Sequence, residues 1–523
     1  MAANWLKNAV FYEIYPQSFY DSNGDGIGDI SGMTEKLGYV KSIGCNALWI
    51  NPWYDSPFKD AGYDVRDYKQ VAARYGTNAD AKAFFDAAHK LGIHVLIDLV
   101  PGHTSEEHPW FLASGQAEEN GYSDRYIWTE NAFCRGDGMP FIGGEQPRDG
   151  TYIINFFKSQ PALNYGWHEI HEPNWQQPID APGPMATREA MKDVMRFWLD
   201  MGADGFRVDM ADSLVKNDGN DKPYTMLVWK DILGAIHAEY PHAAIVSEWN
   251  NPTCALNCGF DMDFYLDWYG NGYSRLLRYY KLDKNGNITE DESYFKADAK
   301  SDITGFLADY LPKYQATKDK GLWCLITGNH DCKRPSFNLT DTERKLAYAF
   351  LLTMPGAPYI YYGDEIGMAY RWLPTKEGGY HRTGSRTPMQ WDDTKNLGFS
   401  AGKGEDLYLP TDPNPGDATV TAQEADPYSM LNHLRRVIAL RQSHPDLGNY
   451  SGFSVYHGEE GDRLFAYKRG EMLLAVNPSL EEKTLKLDGA YEPVFTFGPA
   501  AVDGQTLQAG PQSFAVLKPM PVG

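Results

Sequence analysis

Three carboxylates of this 523-residue sequence lie where short apolar segments end. Asp98, Asp209 and Glu248 each end or directly follow a run with the character of a buried strand. Arg207 stands two residues before Asp209, so both side chains point to the same face of a strand. We expect this arginine to keep Asp209 ionised with a depressed pKa, although an isolated pair of this kind is more often structural.

Two histidines follow other predicted strands, and one of them precedes a further carboxylate. His103 comes shortly after Asp98, and His330 stands beside Asp331. Each motif alone is weak, because a histidine after a strand is usually structural and Asp98 could serve only to brace Arg207. Together the motifs predict a pocket lined by carboxylates. Glycoside hydrolysis needs one ionised carboxylate and one protonated carboxyl group, and this set can supply both.

A loop near the N-terminus carries oxygen side chains at every second position. The loop is Asp21-Ser-Asn23-Gly-Asp25-Gly-Ile27-Gly-Asp29. Its glycines allow a tight turn around a hard cation, but the twelfth position is Gly32 rather than glutamate, so it is not an EF-hand. A plain Asx-Gly turn is the alternative. Oxygen side chains at this regular spacing favour calcium, and magnesium accepts fewer protein ligands.

The composition excludes several classes of partner. The formal net charge of −22 disfavours nucleic acid and anionic membranes, because both require clustered positive charge. No segment approaches the roughly 20 apolar residues of a membrane span, and the first residues lack the pattern of a signal peptide. The six cysteines predict free thiols rather than a disulfide framework, so a cytoplasmic location is expected. A small neutral substrate fits best, and the oligomeric state stays open.

Short apolar runs alternate with helix-like segments, which predicts βαβ units and a parallel sheet. The predicted strands are Val10–Ile14, Ala47–Ile50, His94–Asp98, Gly205–Val208, Ala244–Ser247, Leu322–Ile326 and Tyr359–Tyr362. The predicted helices are Ala79–Leu91, Thr187–Met201, Met226–Glu239 and Asp341–Thr353, the last with an acidic cap. Polar residues at the ends of several strands favour an α/β fold with a (β/α)8 TIM barrel. A doubly wound sheet would show a glycine-rich phosphate loop after its first strand.

Two regions interrupt this alternation. Residues 104–170, rich in glycine, proline and aromatics, follow the third strand and are predicted to form an inserted domain at the rim of the active site. From about residue 452 the pattern becomes strand-like, in Arg463–Tyr467, Met472–Val476 and Phe514–Leu517, which predicts a C-terminal all-β sandwich over 452–523. The catalytic barrel would then comprise residues 1–103 and 171–451.

In this order, the motifs resemble the α-amylase superfamily of glycoside hydrolases, family 13, through nearly the whole chain. The matching segments are Phe11–Phe19, Asp21–Asp29, Gly62–Val65, Asp98–His103, Gly205–Asp209, Glu248, Asn329–Asp331 and Arg386–Trp391. Each segment is moderately specific, and the ordered set is highly specific. The last segment and the Asp21–Asp29 loop are typical of the branch with oligo-1,6-glucosidases, α-glucosidases, trehalose synthases and sucrose isomerases.

The resemblance implies a retaining mechanism and a role for each matching residue. Asp209 would attack the anomeric carbon, Glu248 would act as general acid and base, and Asp331 would grip the ring hydroxyls. Arg207 would orient the nucleophile. The other substrate contacts it implies are His103, His330, Tyr63 stacked under the sugar, and Asp64 with Arg386 closing the pocket behind the non-reducing end. The implied ligands of a structural calcium are Asp21, Asn23, Asp25, the carbonyl of Ile27, and Asp29.

Three positions depart from the pattern of the branch. Ala162 stands where the branch has aspartate. Met210 follows the nucleophile, where a small residue accompanies α-1,4 preference and valine accompanies α-1,6 preference. Trp249 and two asparagines follow Glu248, which is also unusual. The acceptor side is therefore expected to be atypical, and the linkage preference and substrate chain length stay open.

The expected function is a retaining, exo-acting α-glucosidase that hydrolyses short α-glucosides or oligosaccharides. The alternative is a transglycosylase or isomerase of the same family, like a trehalose synthase or a sucrose isomerase. Such an enzyme would share every catalytic residue and would keep water away from the glucosyl intermediate. A remote alternative is a non-catalytic sugar-binding or transporter-associated protein, against which the three retained carboxylates argue.

Overall fold

Eight parallel strands form the central sheet of the computed structural model, which describes residues 3–377 and 382–521. In chain order the strands β1 to β8 are Phe11–Ile14, Ala47–Ile50, His94–Leu99, Gly205–Val208, Ala244–Ser247, Met262–Phe264, Leu322–Cys324 and Tyr359–Tyr361. Strands β1 to β7 pair in sequence order, and β8 lies beside β1. A parallel bridge between Ile326 and Tyr359 joins the last two strands, so the sheet closes into the expected (β/α)8 barrel.

The sequence predicts seven of these strands and misses β6, Met262–Phe264. Its middle residue, Asp263, is a fully buried carboxylate. This carboxylate accepts hydrogen bonds from the Ser247 hydroxyl at 2.8 Å and from the Trp249 N–H at 3.2 Å. A polar residue in the middle of a three-residue strand breaks the apolar run by which buried strands are identified.

Helices alternate with the barrel strands. The longer ones are Asn78–Lys90, Pro182–Met201, Pro223–Glu239, Thr304–Thr317, Asp341–Thr353 and Met430–Ser443, and the shorter ones include Ile30–Glu35, Leu37–Ile43, Pro252–Asn257 and Gly272–Leu277. The predicted acidic cap at Asp341 is wrong: Thr340 caps this helix in a reciprocal capping box with Glu343. No helix within 3–377 and 382–521 is long and apolar enough to cross a membrane.

Between β3 and β4 the chain forms a small unit with its own apolar cluster. It contains the helix Pro109–Ser114 and the antiparallel strands Phe141–Gly143 and Thr151–Ile153. The cluster comprises Ile127, Ile153, Ala162 and Trp167. Backbone bridges join Ala162 to His103 and Trp167 to Lys216, which anchor this unit beside the ends of β3 and β4. The boundaries of 104–170 as a domain stay a prediction.

The C-terminal part folds into two antiparallel sheets. The five-stranded sheet contains, in spatial order, Phe453–His457, Phe465–Arg469, Met472–Asn477, Ser513–Pro519 and Tyr491–Phe497. The three-stranded sheet contains Lys483–Lys486, Thr506–Ala509 and Ala500–Asp503. Leu473 and Leu517 from the first sheet pack with Leu485 and Leu507 from the second in one apolar cluster, so this part is an all-β domain. Residues 1–2 and 522–523, at the ends of the predicted domain ranges, lie outside the described residues.

Candidate active site

The backbone of β4 approaches β5 unusually closely where Gly205 begins the strand. Gly205 has φ +149°, and a Cβ atom built on it would lie 1.8 Å from the Ala244 carbonyl oxygen. Only glycine fits this approach. The two strands run in parallel register, with Arg207 opposite Val246, and each is followed directly by a carboxylate, Asp209 and Glu248. The local geometry therefore places these two residues at neighbouring positions on one edge of the barrel.

One guanidinium contacts three carboxylates at this edge. Arg207 Nη1 lies 2.6 Å from Asp98 Oδ1 and 3.0 Å from Asp209 Oδ1, and its Nη2 lies 2.9 Å from Glu248 Oε1. The Met210 N–H donates a hydrogen bond of 2.9 Å to the other oxygen of Glu248. Met210 adopts a left-handed backbone with φ +40°, which is strained for a side chain of this size. The ends of β3, β4 and β5 are thus joined through Arg207.

The electrostatics differ from the sequence-based expectation for Asp209. Burial raises the pKa of Asp209 to about 7, because the opposing effect of Arg207 is offset by the nearby charges of Asp98 and Asp331. Burial likewise raises the pKa of Glu248 to about 8, against the lowering effect of Arg207. The expected depressed pKa of Asp209 is therefore wrong, because burial outweighs a guanidinium that Asp209 shares with Asp98 and Glu248. Because both pKa values are raised, the pair can retain one proton at neutral pH.

Asp331 lies among cationic side chains. Its Oδ1 is 2.9 Å from Arg382 Nη1 and 2.9 Å from Arg386 Nη2, and its Oδ2 is 3.4 Å from His330 Nε2. Burial opposes ionisation, but the charges of Arg382 and Arg386 outweigh it and hold the pKa of Asp331 well below its ordinary value. Arg382 also reaches Asp60 Oδ1 at 2.9 Å. A continuous ion network therefore runs from Asp60 through Arg382 and Asp331 to Arg386.

Tyr63 and His330 form a stacked and hydrogen-bonded pair. Their ring centroids lie 5.4 Å apart at an interplanar angle of 8°, and the Tyr63 hydroxyl is 2.8 Å from His330 Nε2. The same hydroxyl lies 3.2 Å from Asp98 Oδ2. On its other side, His330 Nδ1 is 2.8 Å from the buried Glu13 carboxylate and 3.1 Å from Asn51 Nδ2. Burial lowers the pKa of His330 well below its ordinary value, so its ring is neutral.

The structure does not bring Asp64 and Arg386 together. The Asp64 carboxylate accepts hydrogen bonds from the Ser56 hydroxyl and from the backbone N–H groups of Lys59 and Asp60, so it stabilises the turn that carries Asp60. Arg386 instead contacts Asp331 and, at 2.9 Å, the His330 carbonyl. Asp60, which was not among the predicted residues, is linked through Arg382 to Asp331.

Several polar residues of the site have no counterpart among the predicted ones. They are Glu13, Asn51, Asp60, Asn155, Lys216 and Arg382. Asp60 and Arg382 are 322 positions apart, so no local spacing relates them. Glu13 could be recognised from the sequence, because it is a carboxylate inside the apolar run Phe11–Ile14. This run forms the first strand, which is buried throughout.

The Asp21–Asp29 loop has oxygen atoms of the right type for calcium, but they make hydrogen bonds within the loop. Asp21 Oδ1 accepts the N–H groups of Asn23 and Gly24, and Asp25 Oδ1 accepts that of Ile27. Asp29 caps the following helix through the Gly32 N–H. Among residues 3–377 and 382–521, no three His, Cys, Asp or Glu side chains are grouped as metal ligands. The loop carboxylates alone would therefore not complete a calcium site. The amide of Asn23 and a backbone oxygen would be needed in addition, and both belong to the predicted ligand set.

The carboxylates, the barrel and the ordered motifs define a class of carbohydrate-active enzyme. Residues 13–449 match the family model of the α-amylase catalytic domain. The chain belongs to this α-amylase superfamily of glycoside hydrolases. Within it, the similarity to oligo-1,6-glucosidases assigns the chain to the oligo-1,6-glucosidase-like branch.

Individual relatives have different activities. The trehalose synthase/amylase of Mycolicibacterium smegmatis is 34% identical over 493 residues, which cover 84% of this chain and 77% of that protein. The oligo-1,6-glucosidase of Parageobacillus thermoglucosidasius is 32% identical over 541 residues, which cover 92% and 91% of the two chains. The crystal structure of trehalulose synthase from Pseudomonas mesoacidophila MX-45 superposes with a TM-score of 0.81 at 26% identity, over 99% of this chain and 100% of the other.

Proposed function

We propose that this protein is a retaining, exo-acting enzyme that cleaves short α-glucosides, with Asp209 as nucleophile and Glu248 as general acid and base. The contact of one guanidinium, Arg207, with both carboxylates carries this proposal. This shared contact is consistent with two carboxyl groups that lie close together at the barrel edge, as retaining glycoside hydrolysis requires. Membership of the α-amylase superfamily supports the same chemistry.

Catalysis would proceed in two displacements. Asp209 attacks the anomeric carbon while Glu248 gives its proton to the leaving glycosidic oxygen, which forms a covalent glucosyl-enzyme. Glu248, now ionised, takes a proton from water or from an acceptor hydroxyl, which then displaces Asp209. Burial raises the pKa of both carboxyl groups, and the charge of Asp209 raises that of Glu248 further, so the pair can hold one proton at the start.

The surrounding residues would bind the glucosyl unit. Asp331, kept ionised by Arg382 and Arg386, would accept hydrogen bonds from ring hydroxyls, and the neutral His330 and His103 would bind the same sugar. Tyr63 would stack under the ring. The ion network from Asp60 to Arg386 would close the pocket behind the non-reducing end, which is the basis for proposing exo action.

An isomerase or transglycosylase is the second candidate. The similarity to a trehalose synthase/amylase and to a trehalulose synthase favours it as much as the similarity to an oligo-1,6-glucosidase favours hydrolysis. The two candidates differ only in what accepts the glucosyl group from Asp209. Met210, which donates its N–H to Glu248, lies next to the nucleophile and is a candidate for influencing that choice.

Product analysis separates the candidates. The purified protein is incubated with maltose, isomaltose, sucrose and trehalose, and products are identified by chromatography. Free glucose as the main product supports hydrolysis, and a new disaccharide supports isomerisation. The Asp209→Asn variant is the matched control and is expected to lose about 10⁴-fold or more in kcat/KM on whichever substrate is cleaved. If the wild-type protein binds these sugars and converts none of them, the non-catalytic alternative replaces the proposal.

A structural calcium in the Asp21–Asp29 loop is part of the proposal. Its ligands would be Asp21, Asn23, Asp25, the Ile27 carbonyl and Asp29. Carboxylate, amide and carbonyl oxygens are the donors that calcium prefers. The burial of Asp21 and Asp29 supports a site with restricted access to solvent.

A further inference from the structure

Lys216 is a buried lysine beside the site that the proposed mechanism does not use. Its side chain follows the nucleophile by seven positions, and the residue is 7% exposed. Its Nζ donates hydrogen bonds to Asn155 Oδ1 at 3.1 Å and to the Ser213 carbonyl at 2.8 Å. Within the described ranges, no carboxylate forms an ion pair with it. Asp212 is the carboxylate whose charge acts on Lys216, but it forms no direct ion pair with it. A buried ammonium without a direct ion pair is costly, so its position calls for a functional explanation.

The donor character of the ammonium fixes the orientation of the Asn155 amide. An ammonium can only donate, so the amide atom that faces Lys216 must be the oxygen. The Asn155 Nδ2 then points the other way, 3.1 Å from His103 Nδ1 and 3.3 Å from the Ser213 hydroxyl. Because Nδ2 can also only donate, His103 Nδ1 must be the unprotonated acceptor.

The opposite side of the His103 ring gives the same assignment. His103 Nε2 lies 3.1 Å from the Tyr63 carbonyl oxygen, which can only accept. The proton of the neutral ring is therefore on Nε2. Two independent contacts, one on each ring nitrogen, agree on one tautomer.

The chain leaves room for this arrangement at Gly102. A Cβ atom at this position would lie 2.7 Å from Asn155 Nδ2 and 3.1 Å from the Ser213 hydroxyl oxygen, so a larger residue would displace both groups. The Ser213 hydroxyl in turn donates to the Met210 carbonyl at 2.8 Å, next to the nucleophile. The Lys216 N–H donates to the Gly166 carbonyl at 3.0 Å, which ties Lys216 to the unit between β3 and β4.

We propose that Lys216 and Asn155 are positioning residues that hold His103 neutral with its proton on Nε2, so that the ring presents a fixed donor to the bound glucosyl unit. The part about the glucosyl unit rests on the proposed function, in which His103 binds the donor sugar. The electrostatics support the arrangement: burial lowers the pKa of His103 to about 4 against the raising effect of the hydrogen bond with the Tyr63 carbonyl, and the charge of Lys216 contributes to the lowering. Lys216 also keeps a positive charge in contact with the loop that follows Asp209.

Nitrogen NMR of the intact 523-residue chain labelled with ¹⁵N-histidine tests the tautomer without reference to activity. The His103→Gln variant identifies the His103 signals. We expect an unprotonated Nδ1 and a protonated Nε2 in the wild-type protein, and a proton on Nδ1 in Asn155→Asp, because the new carboxylate can only accept there. A proton on Nδ1 in the wild-type protein, or no change in Asn155→Asp, would overturn the proposal.

Kinetics test the functional part. Lys216→Met is expected to lower kcat/KM by about 10-fold, mainly through a higher KM, whereas Lys216→Arg, which keeps an obligate donor, restores most of the loss. Lys230→Met, an exposed lysine on the helix Pro223–Glu239, is the matched charge control and should leave kcat/KM unchanged. Equal kinetics for Lys216→Met and the wild-type protein, at equal melting temperature, would contradict the positioning role. An inactive wild-type protein would refute the proposed function and leave the NMR test intact.

Discussion

A single guanidinium, that of Arg207, balances three carboxylates at the centre of the site. One positive charge cannot keep three buried negative charges in their ionised forms at ordinary carboxyl pKa values. The three carboxyl groups together must therefore retain a proton into the neutral pH range. A retaining glycoside hydrolase needs this state, with one carboxylate charged and one carboxyl protonated. The arrangement around Arg207 thus links burial to the proposed chemistry.

The pH dependence of kcat/KM follows from these charges. Activity needs ionised Asp209 and protonated Glu248, so it is lost as pH falls below the pKa of Asp209 and as pH rises above that of Glu248. Burial raises these values to about 7 and about 8, and the two limbs belong to the coupled pair. We expect a narrow bell whose acid limb lies well above the ordinary carboxyl pKa of about 4. An initial-rate profile with an acid limb near that ordinary value would contradict this account.

At the residue scale, sequence patterns predict contacts between residues that are close in the chain, but they do not predict contacts between residues that are far apart in it. Asp209 and Arg207 are predictable because alternate residues of a strand share one face. The ion pair of Asp60 with Arg382 spans 322 positions, and only the folded barrel brings the two residues together. The pKa of Asp209 escapes prediction for the same reason, since it depends on burial in the folded barrel and on the charges of Asp98 and Asp331 from other parts of the chain.

At the scale of elements, the close approach of β4 and β5 positions the catalytic pair. Gly205 permits this approach, and the residues two and four positions later are Arg207 and Asp209. A side chain at Gly205 would push β4 away from the Ala244 carbonyl. The contacts of Arg207 to Glu248, which follows β5, depend on that spacing.

Gly205→Ala should therefore destabilise the protein by about 3 kcal/mol or more, because a buried strand backbone must move. Gly234, inside the helix Pro223–Glu239, is the matched control, because a Cβ atom added there would meet nothing within 4 Å beyond its own helix backbone. Gly234→Ala should be neutral or stabilise the protein by about 0.5–1 kcal/mol. Urea unfolding followed by circular dichroism measures both. Equal stability of the two variants would show that β4 does not depend on this contact.

Among the elements, β6 shows where pattern recognition fails. Asp263 occupies the middle of a three-residue strand and finds its partners, Ser247 and Trp249, at the end of β5. Its polarity hides the strand in the sequence. The helix Asp341–Thr353, by contrast, has the bounds that the sequence predicts, because its apolar periodicity and N-terminal acidic residues are local signals.

At the scale of the whole molecule, the Asp21–Asp29 loop joins distant parts of the chain. Asp21 Oδ2 accepts the Ser400 hydroxyl at 2.5 Å, and the Tyr408 N–H donates to the Gly26 carbonyl at 3.0 Å. An ion bound in the loop would stabilise these contacts between the start of the barrel and the segment before its last helix, Met430–Ser443. Loss of the ion should therefore be seen in global stability.

Calcium should raise the melting temperature, and a chelator should lower it. A site occupied at 100 times its Kd would add about 2.7 kcal/mol to the free energy of unfolding. Asp25→Ala, which removes one exposed carboxylate, should abolish the calcium-dependent increment, whereas Asp283→Ala, in a similar-looking turn, should retain it. Differential scanning calorimetry measures the increment. Identical melting curves with calcium and with chelator would refute the proposed calcium site.

The architecture of the whole molecule is the most predictable feature. Alternating strand and helix signals, followed by strand-like segments alone, indicate a (β/α)8 barrel with a C-terminal β-sandwich, and both are present. The small unit between β3 and β4 shows in the sequence only as an interruption of the pattern. Its irregular segments are held by long-range bridges such as Trp167 to Lys216, which leave no periodic signal.

Trapping of the glucosyl-enzyme tests the central claim most directly. The protein is incubated with a fluorinated α-glucosyl fluoride, whose second displacement is slow, and the digested protein is mapped by mass spectrometry. We expect one glucosyl adduct on the peptide that contains Asp209, and none in the Asp209→Asn variant. An adduct on a different carboxylate, or catalytic turnover that inverts the anomeric configuration, would contradict the account.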